Sequence, residues 1–222
     1  MPDRPVLLVD LDGTITDSLD GIAKSLRHAL DTVGASWDDS RDIRSIAGPP
    51  MPDTLASLGL EGSELQRAMS AYRERYSDVG WLENAVYEGM DGLLTGLAGQ
   101  GFRMAVATSK DQRAARRILD HFGLDEPFEF IGGADLRVGR SAKADVIAHS
   151  LASVGVDPVP EGDGGTDGVL MIGDREHDVA GAARYGIPTA IVRWGYGSPE
   201  EWADARWSPA DTSELERIIH AW

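Results

Sequence analysis

Toward its C-terminal half the chain alternates short apolar runs with helical patterns of roughly ten residues, and this alternation constrains the fold more than any other feature. The apolar runs are RMAVAT (103–108), FEFIGG (128–133), GVLMIGD (168–174) and PTAIV (188–192). The helical patterns are MDGLLTGLAGQG (90–101), QRAARRILDHFG (112–123), SAKADVIAHSLASVG (141–155) and HDVAGAARYG (177–186). Strands separated by helices require right-handed crossovers and a parallel sheet. An earlier run, Val6 to Val9, is apolar throughout, as a strand buried on both faces should be. The reading is an α/β fold with a doubly wound, Rossmann-like parallel sheet.

The stretch after the first strand has a different period. Leu19, Ile22, Leu26, Leu30 and Val33 recur at helical spacing, with Asp17 or Ser18 to cap the start and Gly34 to end it. A short helix is expected from near Pro50. A third helix carries a capping-box pattern, Ser63 with Gln66, and should stop near Gly80. No strand is expected between 17 and 82. The chain thus divides into an α/β core, residues 1–16 and 83–222, and an inserted α-helical unit, residues 17–82. The Gly155–Gly168 stretch, rich in Gly, Asp and Pro, reads as a mobile surface loop before a strand, away from the carboxyl ends of the strands.

Open parallel sheets bind ligands beyond the carboxyl ends of their strands, where strand order reverses. Asp10, Asp12, Gly13 and Thr14 follow the first strand. Thr108, Ser109 and Lys110 end the RMAVAT run, and Asp174 and Asp178 follow VLMIG. Lys143 opens the helix after FEFIGG. Any one of these aspartates could be turn chemistry, and Asp178 is also placed to cap its helix. Together, on one edge, they form a dense set of carboxylates. Like charges brought that close repel, and desolvating them is costly, so a cation should sit among them. Oxygen donors with no cysteine suit a hard ion such as Mg²⁺. An Asp carboxylate can serve as a nucleophile and a second carboxyl as acid and base. Hydroxyls, backbone N–H groups and a lysine can hold phosphoryl oxygens. No GxxxxGK[ST] loop is present, which argues against a P-loop NTPase.

Composition narrows the partners. The 222 residues carry a formal net charge of −16 and no Lys/Arg run. Nucleic-acid polymers and anionic membrane surfaces are therefore poor partners, while a small anionic ligand fits if a local cationic site receives it. There are no cysteines, so disulfides and thiolate chemistry are excluded. The apolar run near the start is shorter than the core of about 7–15 residues of a signal peptide, and nothing approaches the ~18 apolar residues of a membrane span. The expectation is a soluble, cytoplasmic protein, monomeric or homodimeric.

DLDGT, the strand ending in ATSK, the helix-borne Lys143 and GDREHD together resemble the four motifs of the haloacid dehalogenase-like hydrolases. IAGPP, ENAVYEGM, GRSAKADVI and WGYG are similar to the phosphoglycolate-phosphatase and 5′-nucleotidase-like branch. The resemblance implies Asp10 as nucleophile, Asp12 as general acid and base, and Lys143 steadying a phosphorylated intermediate. It implies phosphate binding by Gly13, Thr14, Thr108, Ser109 and Lys110. It implies Mg²⁺ held by Asp10, Asp12 through its backbone carbonyl, and Asp174, with Asp178 as ligand or support. The helical insertion resembles the family's small cap. The presence of Asp12 favours a phosphatase or a phosphotransferase such as a sugar phosphomutase over a dehalogenase. The function implied is Mg²⁺-dependent hydrolysis of a small phosphorylated metabolite through an aspartyl-phosphate; a silent phospho-metabolite-binding domain is the alternative of another class. The GYG stretch, Gly195–Gly197, by itself reads as a turn.

Overall fold

A computed structural model describes residues 5–222. Five parallel strands form the main sheet: β1 (Val6–Val9), β4 (Arg103–Asp111), β5 (Phe130–Ala134), β6 (Val169–Gly173) and β7 (Thr189–Ile191). Their order is β5-β4-β1-β6-β7. β1 is central, pairing Val6 with Arg103 on one side and with Val169 on the other. Strand order reverses at β1, so the switch point lies where β1 and β6 end side by side.

Helices α4 (Met90–Gly99), α5 (Gln112–Phe122), α6 (Lys143–Ser153), α7 (Glu176–Ala183) and α8 (Thr212–Ala221) belong to the same unit. One core joins Val6, Leu8, Ala105 and Met171 of the sheet to Val146, Ile147 and Leu151 of α6. The alternate strand residues Leu7, Val9, Met104 and Val106 are buried as well, so both faces of the sheet are covered. This is why β1 reads as an unbroken apolar run.

The second compact unit is Asp17–Ala85. It contains α1 (Leu19–Val33), α2 (Met51–Ser57) and α3 (Gly62–Asp78) around Leu26, Leu30, Trp37, Ile46 and Leu55. Gly34 ends α1 in the left-handed conformation, φ +76°. Gly21 of α1 meets the Gly80 carbonyl so closely that no Cβ would fit between them. Glu83 accepts from Arg75 at 2.9 Å and from Lys24 at 3.1 Å, tying the end of the unit to its first and third helices.

Three sequence readings are corrected here. The second boundary lies after Ala85, not 82, because Glu83 is bonded to Arg75 and Lys24 of the helical unit. The boundaries also carry two short strands, β2 (Thr16–Asp17) and β3 (Ala85–Val86), which pair with each other; two residues are too short to show a period. The Ser63–Gln66 capping box does not form, since α3 starts earlier, at Gly62, with Glu61 in the capping position.

The Gly155–Gly168 stretch lies at the surface, exposed over most of its length, and is anchored by hydrogen bonds. The buried Thr166 hydroxyl accepts from Val159 N–H at 2.9 Å and donates to the Val159 carbonyl at 3.1 Å. Glu161 and Thr166 N–H groups donate to the Arg184 and Tyr185 carbonyls. A polar composition concealed these backbone anchors.

Candidate active site

β1 continues its ladder through Asp10, whose N–H donates to the Ile172 carbonyl at 2.9 Å. The chain then folds around the Leu11 carbonyl, which accepts from the N–H groups of Thr14, Ile15 and Thr16. Leu11 and Ile15 are buried and anchor this turn from inside. Gly13 takes φ +81°, and a side chain there would strike the Asp174 carboxylate. Glycine is therefore required on two grounds, conformation and space.

The carboxylates of Asp10, Asp174 and Asp178 each place an oxygen within 4.8 Å of the others, and all three residues are buried. Lys143, the first residue of α6, reaches Asp178 Oδ1 at 2.6 Å and Asp10 Oδ1 at 3.1 Å. Asp10 Oδ1 also accepts from Leu11 N–H at 2.8 Å. Asp178 does two jobs. Its Oδ2 accepts from the N–H groups of Asp174 and Arg175 at the start of α7, while its Oδ1 meets Lys143. The capping role foreseen for it is real, and so is its place in the cluster.

Burial dominates the electrostatics. It pushes the Asp10 carboxyl up to about 6, against the lowering effect of Lys143; Asp178 pushes it further up, and the Thr108 hydroxyl and Leu11 N–H pull it down. Burial likewise raises Asp174 well above the usual carboxylate range, with Asp178 and Asp10 adding to the effect. Burial disfavours the Lys143 ammonium, but the two facing aspartates outweigh it and raise its pKa. Ionised together, the three carboxylates would exceed the one ammonium by two negative charges, the charge a divalent cation supplies. Two oxygens of the cluster accept no hydrogen bond among the described residues, Asp174 Oδ1 and Asp178 Oδ1, and of these Asp178 Oδ1 is ion-paired with Lys143. A buried carboxylate oxygen left without a partner beside two other carboxylates is what a cation ligand looks like before the ion arrives. The donor set fits Mg²⁺.

The other foreseen residues lie around this cluster. Thr108 is buried within β4, and its hydroxyl is among the groups that lower the Asp10 carboxyl pKa. Ser109 is half-buried beside it. Lys110 Nζ meets Asp12 Oδ2 at 2.6 Å, so the Asp12 side chain is paired with Lys110. Thr14 is fully buried, and its hydroxyl has no hydrogen-bond partner among the described residues. Asp111, not Thr108 or Ser109, caps α5, accepting from Arg113 and Ala114 N–H groups. The strand-end hydroxyls are thus not spent on capping.

One contributor escaped the sequence reading. Tyr196 N–H donates to Asp174 Oδ2 at 2.7 Å, and Gly195 lies against the Asp174 side chain. The WGYG segment is more than a turn. A backbone donor carries no residue signature; only the paired glycines hinted at a close approach.

The haloacid dehalogenase-like hydrolase family model matches residues 7–192. Tyrosine-protein kinase PtkA of Mycobacterium tuberculosis is 47% identical over 192 residues, covering 86% of this chain and 63% of the relative. The chain therefore spans less than two thirds of that protein. A 5'-nucleotidase of Pseudomonas aeruginosa is 37% identical over 198 residues, covering 89% of this chain and 86% of the relative. A crystal structure described as a predicted phosphatase from Clostridium acetobutylicum superposes with a TM-score of 0.89 at 33% identity, covering 99% of each chain.

Proposed function

The chain belongs to the haloacid dehalogenase-like hydrolase family, and from that premise we propose that it is a Mg²⁺-dependent phosphatase acting on a small phosphate monoester. The observation that carries this reading is the buried Asp10–Asp174–Asp178 cluster closed by Lys143, with Asp12 two residues from Asp10. Asp10, Asp174 and the Asp12 backbone carbonyl would hold the metal, with Asp178 as ligand or support. Bound there, the ion supplies charge neutralisation for the phosphoryl oxygens.

The residues divide the work as follows. The Asp10 carboxylate attacks phosphorus, the bond from phosphorus to the ester oxygen breaks, and Asp12 gives its proton to the departing alkoxide. Asp12 then takes a proton from water as that water attacks phosphorus, the Asp10–phosphorus bond breaks, and inorganic phosphate leaves. Thr108, Ser109, Lys110 and the backbone at Gly13 and Thr14 orient the phosphoryl oxygens. Lys143 offsets part of the burial that disfavours the Asp10 carboxylate.

The test is phosphate release across a panel of two-carbon phosphates, 5′-nucleotides and sugar phosphates, with and without Mg²⁺, with Asp10→Asn as blank. Mg²⁺-dependent release lost in the variant supports the reading; full turnover by Asp10→Asn sinks it. The 47% identity to a protein named a tyrosine-protein kinase favours a second reading, transfer of the phosphoryl group to another hydroxyl. Free phosphate as the sole product in the presence of alcohol acceptors would dispose of that one.

A further inference from the structure

Asp174 is enclosed by a segment outside the four strand-end motifs. Tyr196 N–H holds its Oδ2, which leaves Oδ1 as the oxygen without a hydrogen bond among the described residues. A Cβ on Gly195 would strike the Asp174 side chain, and one on Gly197 would strike the Asp174 carbonyl. Trp194 Nε1 donates to the Thr14 carbonyl at 3.0 Å, tying the segment to the turn after β1.

One carboxylate fastens this segment to α7. Glu201 Oε1 accepts from Ser198 N–H at 3.3 Å. Its Oε2 accepts from Arg175 Nε and from Glu176 N–H, both at 2.9 Å. Arg175 follows Asp174 directly, and Ser198 lies two residues beyond Tyr196. Glu201 therefore bonds the chain on both sides of the Asp174–Tyr196 hydrogen bond, and its side chain is only 16% exposed.

The geometry points to Glu201 as a positioning residue, clamping the Trp194–Ser198 segment to the start of α7 so that one Asp174 oxygen is fixed and the other faces a divalent cation. This rests on the reading of Asp174 as a metal ligand. Partners that orient a ligating carboxylate commonly set about 10–100-fold in metal affinity. Glutamine at 201 keeps the shape but not the chemistry. Its amide N–H₂ would face N–H donors from Ser198, Arg175 or Glu176.

The test is Mg²⁺ binding to the full chain, measured by calorimetry and by the thermal unfolding midpoint, for the wild type, Glu201→Gln and Trp194→Phe. The expected result is a Mg²⁺ Kd weakened by about tenfold or more in Glu201→Gln, with kcat recovered at saturating Mg²⁺. A residue that merely stabilised the fold would lower the metal-free midpoint and leave the Kd unchanged, and that result overturns the inference. Should Glu201→Gln fail to fold, Trp194→Phe, which loses the Nε1–H bond to Thr14 together with part of the ring, must weaken the Kd in the same direction; an unchanged Kd there also overturns it. A wild type that binds no Mg²⁺ overturns the metal reading together with this inference, whereas wild-type binding with an unaffected variant overturns this inference alone.

Discussion

The Lys110 ammonium lies 2.6 Å from the Asp12 carboxylate, and their side chains are 8% and 15% exposed. The two residues are 98 positions apart, so no sequence pattern announced the pair. The pairing makes them act as a unit. Asp12→Asn should lower kcat by about 10²–10⁴, the usual weight of a general acid and base. Lys110→Met should also lower kcat, and the double variant should be little worse than Asp12→Asn alone. Steady-state kinetics of the three variants checks this. Strictly additive losses would mean that the pair has no joint role in the reaction.

Lys143 is the cation facing both Asp10 and Asp178. Lys143→Met leaves two buried carboxylates without it. The expected loss of stability in the presence of a chelator is about 3–5 kcal/mol, as for other broken buried pairs. Urea unfolding of the metal-free chain measures it, and an unshifted midpoint would contradict the pairing.

Mg²⁺ should stabilise the folded chain, since three buried carboxylates face one ammonium and burial disfavours their charged forms without a cation. At a free concentration one hundred times its Kd, the gain is about 2.7 kcal/mol. Thermal unfolding in Mg²⁺ and in chelator reads it directly. Asp174→Asn should abolish the difference, because it removes the charge of a buried carboxylate whose Oδ1 has no hydrogen-bond partner among the described residues.

Glu201 supplies a pH signature. Burial would raise its pKa, but the Arg175 guanidinium and the Glu176 and Ser198 N–H groups outweigh burial and hold it below its ordinary value of 4.5. An acid whose folded pKa is depressed contributes stability above its unfolded pKa and loses it as pH falls through the folded value. The stability gap between the wild type and Glu201→Gln should therefore be full at neutral pH and shrink below pH 4.5. Denaturant midpoints from pH 7 to pH 3.5 test the trend; a gap that widens on acidification would contradict it.

The sheet was legible because its strands are built on apolar runs, and the site was legible because its chemistry resides in polar side chains at or beyond the carboxyl ends of β1, β4 and β6. What escaped was carried by the backbone or by tertiary pairing. Tyr196 N–H, the Leu11 carbonyl that organises the turn after β1, and the anchors of the Gly155–Gly168 stretch are main-chain groups, which every residue possesses. Glu201 was hidden for another reason. It stands among exposed acidic and small residues, and its partners lie at positions 175, 176 and 198. Ser63 carried the right residue type for a cap, yet α3 begins at Gly62, because local pattern does not fix a helix end against tertiary packing.

Whether Asp10 carries the phosphoryl group is the central question. Acid quench during turnover, followed by peptide mass spectrometry, answers it most directly. A phosphoryl group on the peptide containing Asp10, formed with substrate and Mg²⁺ and absent from Asp10→Asn, is the expected result. Turnover at the wild-type rate by Asp10→Asn, with no phosphoryl group on that peptide at any quench time, would contradict the mechanism.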